Sequence, residues 1–193
     1  GVHLVCGDDN IAMNAFAAPF QDVLIENSYF GWGHGCSIGS MTQAGLRNIT
    51  VRNVTMVDTS AGIHIKSYVG GGGDVEYSAE DITLHGVEKP ISLDQKYGGT
   101  KPPCMPHCNS SRRPFFNVSI TRMHADGIQK ADLGPYLYGT PDRGSLVLAV
   151  KDSTFATTSG DSVEWQCTHA QVTAHDVKGG PKPGTCVESS FQA

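Results

Sequence analysis

The first residues able to do chemistry are a pair of carboxylates, Asp8 and Asp9, directly after Gly7. Farther on stand an imidazole between glycines, Gly33-His34-Gly35, and the stretch His64-Ile65-Lys66, whose imidazole and ammonium alternate and so project from one face of a strand. Each alone has a plain structural reading: a solvated Asp-Asp turn, a structural histidine, the wet side of a half-buried strand. Their spacing suggests more, because 25 residues separate Asp9 from His34 and 32 separate His34 from Lys66. In a chain that coils with that period, two carboxylates, an imidazole and an ammonium line one groove. Paired carboxylates beside a cation suit glycosidic hydrolysis, where one protonates the departing oxygen while the other activates water. Crowding also raises one of the two pKa values, which helps that group remain an acid. The glycines flanking His34 remove neighbouring side chains and leave room for a ligand.

The required period is present. Four segments look alike: Phe20–Ser28, Leu46–Thr55, Ala79–Val87 and Phe115–Met123. Each holds a polar residue followed by apolar, any, apolar, as Val23/Ile25, Ile49/Val51, Ile82/Leu84 and Val118/Ile120, with first members 26, 33 and 36 residues apart. Shorter strands follow the first three, at Cys36–Gly39, Ile63–Lys66 and Ile91–Asp94, and weaker echoes occur at Leu146–Val150 and Val172–Val177. Alternation with period two means a strand with one buried face, and its return every few tens of residues means a solenoid whose units bury that face against their neighbours. No amphipathic helix separates the strands, which excludes βαβ units. The expected fold is all-β, a single parallel β-helix domain over residues 1–193, with an all-β sandwich as the alternative. The eight apolar residues just named are expected to stack in aligned rows. The longer spacings arise from insertions at 69–77, containing Gly70–Gly73 and read as a flexible rim of the groove, and at 96–114. No Gly-Lys-Ser/Thr follows the glycines, so they are not a phosphate loop.

Composition narrows the function. The net charge is −5, from 14 Lys and Arg against 19 Asp and Glu, with no basic run beyond Arg112-Arg113, so a nucleic-acid partner is not expected. No apolar run is long enough for a membrane-spanning helix, and no membrane partner is expected. Six cysteines and four N-x-S/T sequons, at Asn48, Asn53, Asn109 and Asn117, fit an oxidising, secreted, glycosylated protein. Cys104–Cys108 and Cys167–Cys186 are close in sequence and are expected to be disulfides; Cys6 and Cys36, one coil apart, are a third candidate pair. Cys104, His107, Cys108, Cys167 and His169 do not have the spacing of a structural zinc site. The chain begins at Gly1, with neither Met nor signal peptide, and reads as a processed or partial chain.

The motifs together resemble glycoside hydrolase family 28, the polygalacturonases. That family is marked by G-D-D, here Gly7-Asp8-Asp9; by G-H-G and a small-apolar-Gly-Ser stretch, here Gly33 to Ser40; and by R-I-K, here His64-Ile65-Lys66. Pro90–Tyr97 looks like the family's strand ending in a substrate-contacting Tyr. The likeness runs from residue 1 to about residue 100. It implies a right-handed parallel β-helix that cleaves α-1,4-linked galacturonan with inversion, using no metal or organic cofactor. By resemblance Asp8 is the general acid, Asp9 helps activate water, His34 supports the acid and leaving group, Lys66 binds a galacturonate carboxylate, and Tyr97 packs on a sugar ring. The rhamnogalacturonan hydrolases replace the second Asp and lack the G-H-G His, so a galacturonan-type substrate is preferred.

Two departures stand out. The family's N-T-D motif, which carries a third carboxylate one coil upstream, falls before Gly1, so an N-terminal portion of the same protein is an expected partner. The family's Arg is His64 here, a side chain that holds a carboxylate well only when protonated, in an expected window of about pH 5–7. Both departures also motivate the alternative of a catalytically inactive β-helix that binds pectin or another partner.

Overall fold

The structure, a computed structural model, describes residues 1–40, 42–98, 114–141 and 146–188. Cys104, Cys108, Asn109 and most of the second insertion lie outside the described residues. The first strands are β1 (His3–Val5), β2 (Ile11–Met13), β3 (Phe20–Gly31), β4 (Cys36–Ile38), β5 (Leu46–Val57), β6 (Ala61–Tyr68), β7 (Val75–His85) and β8 (Lys89–Tyr97). They continue as β9 (Phe116–Ile128), β10 (Tyr136–Tyr138), β11 (Leu146–Thr157), β12 (Gln166–Thr168), β13 (Gln171–Lys178) and β14 (Val187–Glu188), with one 3₁₀ turn at Ala131–Leu133. Up to β13 the odd strands build one sheet, which β14 extends to eight strands, and the even strands from β2 to β12 build a six-stranded sheet. Every pairing is parallel, and the chain passes from one sheet to the other on each coil. This is a parallel β-solenoid, as the repeat requires.

The core is a set of ladders through the large sheet. Val23 stacks on Ile49, Tyr77, Val118, Leu148 and Val172; Ile25 stacks on Val51, Ala79, Ile120 and Val150. The expected place of Ile82 and Leu84 in these two rows is incorrect. They lie under Val54 and Met56, in two further rows that continue through Met123 and Ala125. The reason is local. Each long strand carries two alternations, separated by one residue with positive φ: Asn27 (53°), Asn53 (50°), Asp81 (53°), Arg122 (57°), Asp152 (50°) and Asp176 (53°). A left-handed residue shifts the phase by one, so Val51 and Val54 both face inward although three positions apart. Asn and Asp tolerate this conformation best, and Arg122 is held there by bonds from its Nε and Nη2 to Asp81 at 2.6 and 3.0 Å. This ladder engages one sequon asparagine, Asn53, whose Nδ2 donates to Asn27 at 2.7 Å; β3 and β5 carry a second positive-φ pair, Asp22 (58°) and Asn48 (51°), where the sequon residue Asn48 donates from Nδ2 to Asp22 at 2.8 Å. Asn48, Asn53 and Asn117 are exposed.

Gly70–Gly72 are buried, and the backbone here turns on a Gly71 N–H bond to Tyr68 O at 2.8 Å. A side chain at Gly73 would strike Thr42 of the preceding coil. The expected flexible rim is thus a packed turn, fixed by the close approach of two backbones.

Cys167, on β12, is bonded to Cys186, with Cα atoms 5.3 Å apart. Cys6 and Cys36 are both free, which corrects the third candidate pair. Cys36 faces the core on β4, whereas Cys6 lies on the exposed loop after β1, its sulfur turned to the backbone oxygen of Asp8 at 3.2 Å. Burial pushes the Cys36 thiol up to about 12.

Leu84→Ala should lower the unfolding free energy by about 2–5 kcal/mol, read as a lower denaturant midpoint at constant slope, because Leu84 is fully buried. Exposed Lys151→Ala should stay within about 0.5 kcal/mol. Alkylation and peptide mapping should find Cys167 linked to Cys186, Cys6 labelled in the folded protein and Cys36 labelled only after unfolding; a Cys6–Cys36 peptide would contradict this arrangement.

Candidate active site

The six-stranded sheet turns its outer face to the residues singled out by spacing. Cys36, Ile63 and Ile91 pair in one inward ladder and Ile38, Ile65 and Leu93 in another, so the residues between them point outward. The outward rows are Ala12–Ser37–His64–Ser92–Tyr136–Gln166 and Lys66–Asp94–Tyr138–Thr168. Asp8 and Asp9 arrive on the loop between β1 and β2, His34 on the loop between β3 and β4, and Tyr97 at the end of β8. All six predicted residues therefore gather at one end of this face.

Asp9 is the hub. Ser37 donates to its Oδ1 at 2.6 Å, and Lys66 Nζ donates to Oδ1 and Oδ2 at 3.2 and 3.0 Å. Its backbone N–H donates to Asp8 Oδ1 at 2.7 Å. His34 Nδ1 stands 3.3 Å from Asp8 Oδ1 and 3.5 Å from Asp9 Oδ1. The two carboxylates differ in setting: the Asp8 side chain is 89% exposed and that of Asp9 13%. Burial works to raise the Asp9 pKa, but the Ser37 hydrogen bond and the bond and charge of Lys66 outweigh it, and Asp9 is held below the usual carboxylate range. Lys66, expected to meet a substrate carboxylate, spends its ammonium on Asp9, and only 8% of its side chain is exposed. Tyr97 sits at the margin with its ring 5.4 Å from Lys66 Nζ and 6.3 Å from the His64 ring.

His64 is corrected in one respect. Burial first, and then the nearby Lys66 charge, lower its pKa from 6.5 to about 4, with Asp9 opposing and His34 and Lys89 adding to the fall. The imidazole is neutral throughout the expected window of pH 5–7. Ser37 has a single hydroxyl proton, given to Asp9, so the 3.3 Å contact with His64 Nδ1 is an N–H donated to Ser37. Nε2 then carries a lone pair, which accepts a hydroxyl proton and does not hold a carboxylate.

Reading by spacing missed two residues. Ser37 lies one coil before His64 in the same row and could have been found from the register alone. Asn10 gives no such signal: its buried side chain donates to Leu4 O and Gly31 O at 3.3 and 3.2 Å and accepts from Gly35 N–H at 3.0 Å, tying the Asp8-Asp9 loop to the His34 loop. The flanking glycines serve this contact. A side chain at Gly33 would strike Asn10 and Asp8 O, and one at Gly35, whose φ is +73°, would strike Ala61 O and Gly62 O. They admit the Asn10 side chain and neighbouring backbone. One ligand atom each from Asp8, Asp9 and His34 fall within 4.8 Å of one another, near enough to share a cation, although Lys66 already neutralises Asp9.

The profile of the family Glycosyl hydrolases family 28 matches residues 2–131. The chain belongs to that family. Within family 28 it is 34% identical over 130 residues to a polygalacturonase of Ralstonia solanacearum, covering 65% of this chain and 23% of that protein. To an endo-polygalacturonase of Pectobacterium parmentieri it is 38% identical over 100 residues, 49% of this chain and 24% of the relative. To the exopolygalacturonase rpg15 of Rhizopus delemar it is 31% identical over 121 residues, 60% and 30%. The chain thus spans about a quarter to a third of the length of these family 28 relatives, and the match holds the whole Asp9 hub.

The lowered His64 pKa has a signed consequence. The folded protein keeps His64 neutral down to about pH 4, whereas the unfolded chain protonates it below 6.5. Its contribution to stability is therefore complete above pH 6.5 and lost as pH falls toward 4. Melting temperature should fall less steeply over that interval in His64→Gln than in wild type; equal slopes would show that His64 titrates normally in the fold.

Proposed function

We propose that this chain carries the acid–base face of a pectin-degrading polygalacturonase that hydrolyses α-1,4-galacturonan with inversion. The observation that carries the reading is the ionised Asp9, clamped by Lys66 and Ser37, with its backbone N–H donating to the exposed carboxyl of Asp8. A base needs its charge and an acid needs access to the bond it protonates, and the two aspartates differ in that sense. In this scheme the Asp8 carboxyl gives its proton to the glycosidic oxygen as the C1–O bond breaks. Water attacks C1 from the opposite face, and Asp9 takes the water proton. His34, beside both carboxylates, steadies Asp8 as its charge appears.

Galacturonan as substrate class is supported by the relatives' names, polygalacturonase and endo-polygalacturonase. Tyr97 offers a ring at the margin of the site for a sugar face. Lys66 meets a galacturonate carboxylate only by sharing its ammonium with Asp9, and His64 reads a sugar hydroxyl through Nε2. Further coils of the same polypeptide complete the site in this reading. Among the described residues β1 pairs only with Tyr29–Gly31, and Phe20–Glu26 of β3 has no strand paired on that side, with Phe20 and Leu24 exposed. By the family pattern those coils bring the third carboxylate. The disulfide and the exposed sequons Asn48, Asn53 and Asn117 support a secreted, extracellular protein.

The test is release of reducing ends from polygalacturonate by the full polypeptide that carries this chain. Asp8→Asn and Asp9→Asn should each lower kcat by about 10²–10⁴-fold while KM changes little. Turnover near wild type in Asp8→Asn would remove it from the acid role, and no release by the intact polypeptide would overturn the reading itself.

A further inference from the structure

Beyond the Asp9 hub, the outward rows of the six-stranded sheet carry a second group that the proposed reaction does not use. Tyr136 and Tyr138, alternate residues on β10, are half-exposed, with ring planes 3° apart and centroids 6.1 Å apart. Lys89 Nζ lies 4.9 Å from the Tyr136 ring centre, and Lys96 Nζ lies 5.1 Å from that of Tyr138. Both lysines come from β8, between the hub and the tyrosines. Asp94 stands between Lys66 and Tyr138 in the row and accepts the Lys96 backbone N–H at 2.8 Å.

Two parallel rings on an outward face do not serve the core, which on β10 is filled by Leu137. Parallel rings offer flat apolar surface of the kind that the CH face of a pyranose covers, and the ammonium over each ring, which a ligand can draw aside, offers a charge-assisted partner for a carboxylate. Neutral sugars need only the first feature, whereas uronates use both. β10 lies two strands from β6, about 10 Å at the usual parallel spacing, roughly the reach of two linked sugar rings. The same rows also run straight from His64 and Lys66 to Tyr136 and Tyr138.

We propose that Tyr136 and Tyr138, with Lys89 and Lys96, form a distal subsite for an acidic sugar of the same polysaccharide chain that occupies the Asp9 hub. The proposal rests on the galacturonan reading above. The tyrosines stack the ring face, and the lysines select for carboxylate over its methyl ester.

Calorimetric titration of the full polypeptide with hexagalacturonate and with its methyl-esterified form tests this without requiring turnover. Tyr136→Ala with Tyr138→Ala should weaken hexagalacturonate binding about tenfold, and the Tyr→Phe pair should restore it, because the rings and not the hydroxyls act. Lys89→Gln with Lys96→Gln should narrow the preference for the acidic over the esterified hexamer severalfold, the remainder being held at the Asp9 hub. Hexagalacturonate affinity within twofold of wild type in both the alanine and glutamine pairs, with unchanged melting temperature, would overturn the subsite. Wild-type hydrolysis of hexagalacturonate is scored separately. A protein that binds through the tyrosines and does not hydrolyse contradicts the catalytic reading while upholding the subsite, and one that hydrolyses with unchanged affinities does the reverse.

Discussion

Everything in this molecule depends on the register of one coil upon the next. Parallel strands about 4.8 Å apart must share their backbone hydrogen bonds, and the apolar ladders inside allow only one alignment, since a slip of one residue would turn each row outward. The outer face inherits that alignment without any interaction of its own. Asp9, Ser37 and Lys66 are far apart in sequence, yet the stacking places them within hydrogen-bond distance. The core builds the site by fixing which outward residues become neighbours.

That constraint explains the electrostatics of the site. Burying a carboxylate is unfavourable unless charge and hydrogen bonds compensate, and Asp9 receives both from strands one and two coils onward. His64 sits in the adjoining, partly dry row with a cation beside it, and the Asp9 charge that opposes the fall is outweighed, so burial and Lys66 drive it neutral. The Lys66 charge thereby lowers both pKa values, favouring the charged form of Asp9 and the neutral form of His64. Asp8, on the exposed end of its loop, escapes the row and faces solvent.

The repeat and the outward position of His64 and Lys66 were legible in the sequence, because period-two alternation and coil-length spacing are direct consequences of strand geometry. The phase of Ile82 and Leu84 was not, because a left-handed Asp81 permits two inward alternations in one strand, and both look alike as text. Cys6 and Cys36 were one coil apart but on opposite sides of a wall, which spacing cannot express. The role of the Gly33 and Gly35 pair was also hidden: their neighbour is Asn10, whose use as a staple between loops depends on three backbone groups that only the fold brings near.

The central claim is that Lys66 and Ser37 keep Asp9 ionised from across the stacked coils. It is tested most directly by following the Asp9 carboxyl carbon by NMR through a pH titration, in wild type and in Lys66→Met. In wild type Asp9 should titrate below the ordinary carboxylate range. In Lys66→Met burial should prevail and carry it above that range. An Asp9 titration unchanged by the loss of the ammonium would contradict the account.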